Sequence, residues 1–177
     1  MNAKPIPETY WVLPGSFLAG AYPLTALDET VAHLCMASFL EAGLNSFIDL
    51  TSPGELPPYL PVLQQESAHY GIPVDYQRLV IQDKGLPSRE QMAACLDAMD
   101  AALAAGRKVY LHCWGGIGRT GTVVGCWLVR HGLAGRQALL RLNELYQASA
   151  QSHLYPHSPE TAAQVAFILG WTEDGLA

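Results

Sequence analysis

Four short runs of apolar residues alternate along the chain with longer stretches in which apolar positions recur every three or four residues. The short runs, 16–21, 46–50, 74–80 and 108–112, are bounded by turn residues and predict strands. The longer stretches predict helices over 24–42, 58–70, 88–105, 117–131, 135–148 and 158–169. Strands that alternate with helices predict a three-layer α/β fold: a central, largely parallel twisted sheet of four to five strands flanked by helices. Two helix starts are legible in detail. Ser88 and Gln91 form a capping box. Ser158-Pro159-Glu160 reads as a cap, a first-turn proline and a first-turn acid. The stretch 117–131 is apolar on nearly every side (Val123, Val124, Cys126, Trp127, Leu128, Val129), which predicts a central, buried helix. Gly121 and Gly125 lie one helical turn apart on it and leave room for close approach of a neighbour.

Length and composition narrow the class. A chain of 177 residues, 50% hydrophobic and 15% charged, is predicted to form a single domain over 1–177 with a substantial core. The formal net charge of -6, without any basic run, argues against nucleic acid as a partner. An anion site must then be built locally, from backbone amides and one or two arginines. No apolar run is long enough for a membrane span. The start, MNAKPIPETYWVLPG, has no basic segment followed by an apolar one, so no secretory signal is expected. Cys35, Cys95, Cys113 and Cys126 include no C-x-x-C pair, which predicts reduced thiols and a cytoplasmic location. His153 and His157 are separated by Pro156, which spoils helical facing. No metal and no cofactor are expected.

The chemistry concentrates in one stretch, VYLHCWGGIGRTGTVVGCW, residues 109–127. A strand ending at His112 runs within five residues into the buried helix, and ligands in open α/β sheets sit beyond such strand ends. Gly115, Gly116 and Gly118 let successive backbone N–H groups converge, and the helix N-terminus adds partial positive charge. Trp114, Gly115, Gly116, Ile117 and Gly118 would thus cradle a phosphate-like dianion, with Arg119 gripping two oxygens through its guanidinium fork. Helix N-termini and nearby cations favour a thiolate, so the same loop would present Cys113 as a nucleophile. A bare cysteine and arginine at this spacing arise easily by chance; the whole run carries the weight.

Residues 112–121, HCWGGIGRTG, resemble the signature loop of the cysteine-dependent protein tyrosine phosphatase superfamily, most closely its compact, dual-specificity-like bacterial-type members. The resemblance implies that Cys113 attacks phosphorus to form phosphocysteine and that Arg119 binds the phosphoryl oxygens. Thr120 would steady the departing thiolate, and His112 would orient the loop by hydrogen bonding. In LVIQDKGLPSREQ, Asp83 matches the family's general acid, with Asp49 in reserve as a turn-stabilising alternative. In SPETAAQVAFIL, Gln164 matches the glutamine that positions the hydrolytic water.

The implied function is hydrolysis of phosphomonoesters, protein phosphotyrosine first, with phosphoserine and phosphothreonine also admitted because no deep tyrosine-bearing loop is evident. Tyr22, Tyr59 and Trp114 are candidates to line the cleft. Phosphoinositides or other small phosphate esters are the alternative substrates, weakened by the absence of lysine between Cys113 and Arg119. A phospho-binding module without catalysis would be expected to lack the cysteine, the arginine or the acid, and all three are present.

Overall fold

The computed structural model describes residues 3–24 and 28–173. Five strands, β1 (Thr9–Leu13), β2 (Phe17–Gly20), β3 (Ser46–Asp49), β4 (Asp75–Arg78) and β5 (Val109–His112), form one sheet in the order β1-β2-β5-β3-β4. All neighbours run parallel except β1, which pairs antiparallel with β2. Six helices surround it: α1 (Glu29–Glu41), α2 (Leu60–Tyr70), α3 (Arg89–Ala104), α4 (Gly118–Arg130), α5 (Gly135–Tyr146) and α6 (Ala162–Leu169). This is the α/β layering that the alternation of runs predicts. Among the described residues no helix is long and apolar enough to cross a membrane.

The period-two alternation of the strands builds two cores. Phe17, Ala19, Ile48, Val109 and Leu111 face α3 to α6, while Leu18, Phe47 and Tyr110 face α1 and α2. Strand β5 is central, so its end is covered on both faces and both sides. Helix α4 is buried from Gly118 through Leu128, as its apolar circumference requires. A side chain at Gly121 would collide with Ser158, and one at Gly125 with Ile168, so the glycines let the 158–168 segment close onto α4.

Two elements differ from expectation. Strand β1 lies outside the strand runs read from the sequence, the first of which begins at residue 16. Pro14 and Gly15 form the turn that joins it to β2: Ser16 N–H donates to the Leu13 carbonyl at 3.1 Å, and Gly15 takes φ 77° at the third position. Helix α6 is capped by Thr161, not Ser158; Thr161 and Gln164 form its capping box. Ser158 is held by other partners: its hydroxyl donates to the Ile117 carbonyl at 2.8 Å, and its backbone pairs with the Asn143 amide. The Ser88–Gln91 capping box forms as read. The start of the 24–42 helix reading includes residues 25–27, which lie outside the described residues; α1 begins after an Asp28 cap.

Candidate active site

Strand β5 delivers His112 and Cys113 to opposite faces of the sheet, as alternation demands. His112 points toward α2, where its Nε2 meets the Tyr59 hydroxyl at 2.8 Å and its Nδ1 meets the Cys113 carbonyl at 3.3 Å. These partners fix one proton arrangement: Tyr59 donates to Nε2, and Nδ1–H donates to the carbonyl. Burial pushes the His112 pKa down to about 4, so the ring is neutral at neutral pH. The ring thus ties the start of the loop, through the Cys113 carbonyl, to Tyr59 at the start of α2. Tyr59 is fully buried and belongs to this brace rather than to the cleft wall.

The loop after Cys113 turns sharply against the end of β2. Gly116 has φ 72°, and a Cβ there would drive into the backbone of Gly20 and Ala21. The Trp114 carbonyl accepts from Tyr22 N–H at 2.7 Å, and the Thr120 hydroxyl lies 3.4 Å from the Gly20 carbonyl. Thr120 is thus buried beneath the loop with its hydroxyl turned toward β2 rather than bonded to the Cys113 thiol. On the far side a Cβ on Gly118 would lie 3.0 Å from Glu160 Oε2 and 3.1 Å from both amide atoms of Gln164. The loop is clamped between two segments that only glycine allows so near.

A cleft of about 710 Å³ opens over this loop. Cys113, Trp114, Gly115, Ile117, Gly118 and Arg119 line it, together with Asp83. Gly116 is absent from the lining; its part is to turn the chain. Cys113 is the cysteine brought to the cleft. Cys126 and Cys95 lie in the core and Cys35 donates to the Pro23 carbonyl at 2.8 Å; burial raises all three thiols. Apolar side chains form the outer wall: Tyr22, Leu24 and Leu56 on one side, and Leu154 and Tyr155 at the rim.

Arg119 is 2% exposed, yet carboxylates surround it. Its Nη1 donates to Glu55 Oε2 at 2.9 Å and to the Ile81 carbonyl at 3.2 Å, and its Nη2 donates to Glu55 Oε1 at 2.6 Å. Asp83 Oδ1 stands 3.1 Å from the same Nη2. Burial works against the guanidinium charge, but Glu55, Cys113 and Asp83 together raise the Arg119 pKa above its ordinary value. The Arg119 hydrogen bonds in turn hold Glu55 below the usual carboxylate range.

Asp83 sits at the second position of a tight turn in which Gly85 N–H donates to the Gln82 carbonyl at 2.8 Å. The third position, Lys84, has φ 56°, a conformation that side chains other than those of glycine and asparagine seldom adopt. The turn is tied at both ends, upstream by Arg119 on the Ile81 carbonyl and downstream by Gln164 Nε2 on the Gly85 carbonyl at 3.4 Å. Asp83 itself is about half exposed over the cleft. Asp49, the reserve acid, is fully buried and accepts from Thr51 N–H and Oγ1, the Tyr76 hydroxyl and Arg78. Burial alone would raise its carboxyl, but the adjoining His112 and the Thr51 and Tyr76 donors hold it low. It stays ionised and structural.

Gln164 is also fully buried. Its amide oxygen accepts from the N–H groups of Glu160 at 3.2 Å and Thr161 at 3.1 Å. The side chain lies against the phosphate-type loop as the resemblance implies, but its oxygen is already committed to the helix cap.

Glu55 and Glu160 are the site residues that sequence reading missed as such; Tyr59, read as a cleft-lining candidate, is bonded to His112 instead. Glu55 was findable in principle, because TSPGE follows β3, the parallel neighbour of β5, and so lies at the same sheet edge.

Comparison with known proteins identifies the family. The profile of the family described as PTP-SAK, the Swiss Army Knife protein DSP-PTPase phosphatase domain, matches residues 7–168. A mouse protein, "Protein tyrosine phosphatase domain-containing protein 1", is 32% identical over 126 residues; the match spans 67% of this chain but 16% of the mouse protein. The crystal structure of Tk-PTP in the active form superposes with TM-score 0.71 at 24% identity, covering 92% of this chain and 94% of that one. PTPMT1 in complex with PI(5)P superposes with TM-score 0.61 at 18% identity, covering 90% and 92%. At such identities the two structures speak for the fold.

Proposed function

The chain belongs to the dual-specificity and tyrosine phosphatase family, and from that premise we propose that it hydrolyses phosphomonoesters through a phosphocysteine on Cys113. The observation that carries this reading is convergence: Cys113, Arg119 and Asp83 line one cleft over a glycine loop at a helix N-terminus, with Asp83 and Arg119 3.1 Å apart. Each part has a task. The amides of 114–119 and the Arg119 fork bind the nonbridging oxygens and hold the charge that spreads over them in the transition state. Cys113 sulfur attacks phosphorus in line, and Asp83 gives its proton to the departing oxygen. Glu55 aims the guanidinium from behind, and His112 with Tyr59 holds the loop backbone. Thr120, beneath the loop, is the hydroxyl closest in sequence to the arginine and would support the departing thiolate after rotation from the Gly20 carbonyl. Water then cleaves the sulfur–phosphorus bond.

Phosphotyrosine is the favoured substrate. Tyr22, Trp114 and Tyr155 offer apolar and aromatic surface to an aryl ring, and Lys84 and Arg119 are the only lysine and arginine in the lining against Glu8, Asp83 and Glu160. Such a wall suits a single phosphate on an apolar stem better than a polyphosphorylated ring. PTPMT1, solved with PI(5)P, shares the fold, so phosphoinositides form the second arm of any substrate screen. Cys113→Ser is expected to abolish hydrolysis of an aryl phosphate while wild type turns over; equal rates in the two would overturn the mechanism.

A further inference from the structure

The second half of the proposed reaction needs a group that holds water, and we infer that Glu160, rather than Gln164, is that group. The inference rests on the phosphocysteine reading. An orienting side chain must reach the cleft with a free acceptor. Gln164 fails on both counts, being buried outside the cleft lining with its amide oxygen accepting two backbone N–H groups. Those bonds have a second effect. By capping the Glu160 and Thr161 amides, Gln164 fixes the backbone from which Glu160 projects.

Glu160 meets both requirements. It lines the cleft, its side chain is 39% exposed, and its Oε2 stands 3.0 Å from where a Gly118 side chain would begin. Gly118 is the first residue of α4, so the carboxylate borders the loop at the helix start, in the same cleft as Asp83. A carboxylate beside a phosphoryl group would be repelled without an offsetting cation. Lys84 supplies one, with Nζ 4.0 Å from Glu160 Oε1. Lys84 occupies the left-handed position of the turn that carries Asp83, so its ammonium and the Asp83 carboxyl enter the cleft lining from adjacent residues.

In this step one water O–H donates to Glu160 and the other to Asp83, whose proton has left with the alcohol or phenol. The water oxygen bonds to phosphorus as the sulfur–phosphorus bond breaks. Asp83 takes the proton, Cys113 leaves as thiolate, and inorganic phosphate is released. Glu160 keeps its charge throughout, acting as an acceptor that aligns the attack.

Rapid-quench kinetics with 4-nitrophenyl phosphate test the assignment, together with mass spectrometry of the quenched protein. Glu160→Ala is expected to release one equivalent of nitrophenol per enzyme in a burst, then turn over at least about tenfold more slowly with phosphate trapped on Cys113. Glu160→Gln, which retains an acceptor oxygen, is expected to recover most of the steady rate. Lys84→Ala is expected to accumulate less phosphocysteine than Glu160→Ala. A Glu160→Ala protein with wild-type turnover and no burst overturns the inference, as does build-up of phosphocysteine in Gln164→Ala but not in Glu160→Ala. Absence of phosphate on Cys113 in every variant, with turnover intact, overturns the phosphocysteine reading instead.

Discussion

Helix α4 carries an arginine in its first turn and another in its last, and the two sit in opposite fields. Arg130 lies where unpaired carbonyls make the helix end negative, and it bonds Asp97 at 2.8 Å, Asp100 at 3.2 Å and Glu173 at 2.5 Å. Arg119 lies where unpaired amides make the end positive, and it is the more deeply buried of the two. The helix end favours the first charge and disfavours the second, while burial works against both. Glu55 and Asp83 hold Arg119 in place. A cation that its helix end welcomes is a fastener. One maintained against that field is the one the proposed mechanism assigns to the ligand.

The contrast breaks most sharply at the guanidinium itself. Arg119→Lys should cost about 10³-fold or more in kcat/KM on an aryl phosphate, because an ammonium cannot span two phosphoryl oxygens while also bonding Glu55. A loss under about tenfold would remove Arg119 from the mechanism.

The next largest effect is on stability at the same end of the helix. Between pH 6.5 and about 4 the unfolded chain binds a proton on His112 that the folded chain refuses, so stability falls as pH falls through that window. The drop is up to about 3 kcal/mol, from about 1.4 kcal/mol per unit of pKa difference. Urea unfolding of wild type and His112→Gln across this range should show the steeper pH slope in wild type; parallel slopes would mean the ring is not held neutral.

Glu55→Gln sharpens the comparison further. Removing the charge while keeping the shape should lower kcat about tenfold with KM little changed, the signature of a misaimed arginine rather than a lost binding group. An unchanged kcat would make Glu55 a mere counter-ion. The smallest effect belongs to the other end: Arg130→Ala should lower unfolding free energy by about 1 kcal/mol while aryl phosphate turnover stays within about twofold.

These residues also show what a sequence displays and what it conceals. The phosphate loop was legible because strand end, nucleophile, glycines, arginine and helix start occupy one continuous run, 109–131, whose physics is local. The layered, largely parallel sheet follows from the alternation of strands and helices in the same way, while the order of its strands is seen only in the structure. Strand β1 was not among the strand runs: it is a five-residue edge strand defined by its pairing with β2 rather than by its own pattern. Ser158 was misread as a cap because its short-range pattern suits one; its actual partner, the Ile117 carbonyl, is distant in sequence. Glu55 and Glu160 carried no local signature of a site role: one follows a strand end, and the other reads as a first-turn acid. Each is an acid in a proline-containing loop, and each becomes part of the site only once parallel strands and the packing of α6 on α4 bring the loops together. The family resemblance located Gln164 next to the loop, but only coordinates show its oxygen spent on a cap.

The turn that carries Asp83 has a mechanical meaning. Its moorings at the Ile81 and Gly85 carbonyls leave an arch of three residues, 82–84, spanning two fixed posts. One post is the arginine that would bind substrate; the other is the glutamine that caps α6. An arch so short cannot swing as a hinged lid does. Asp83 is thus held beside Arg119 by the moorings of its own turn. Under the proposed mechanism the acid is on station before the phosphate arrives, and an insertion of even one residue between 82 and 84 would unmoor it.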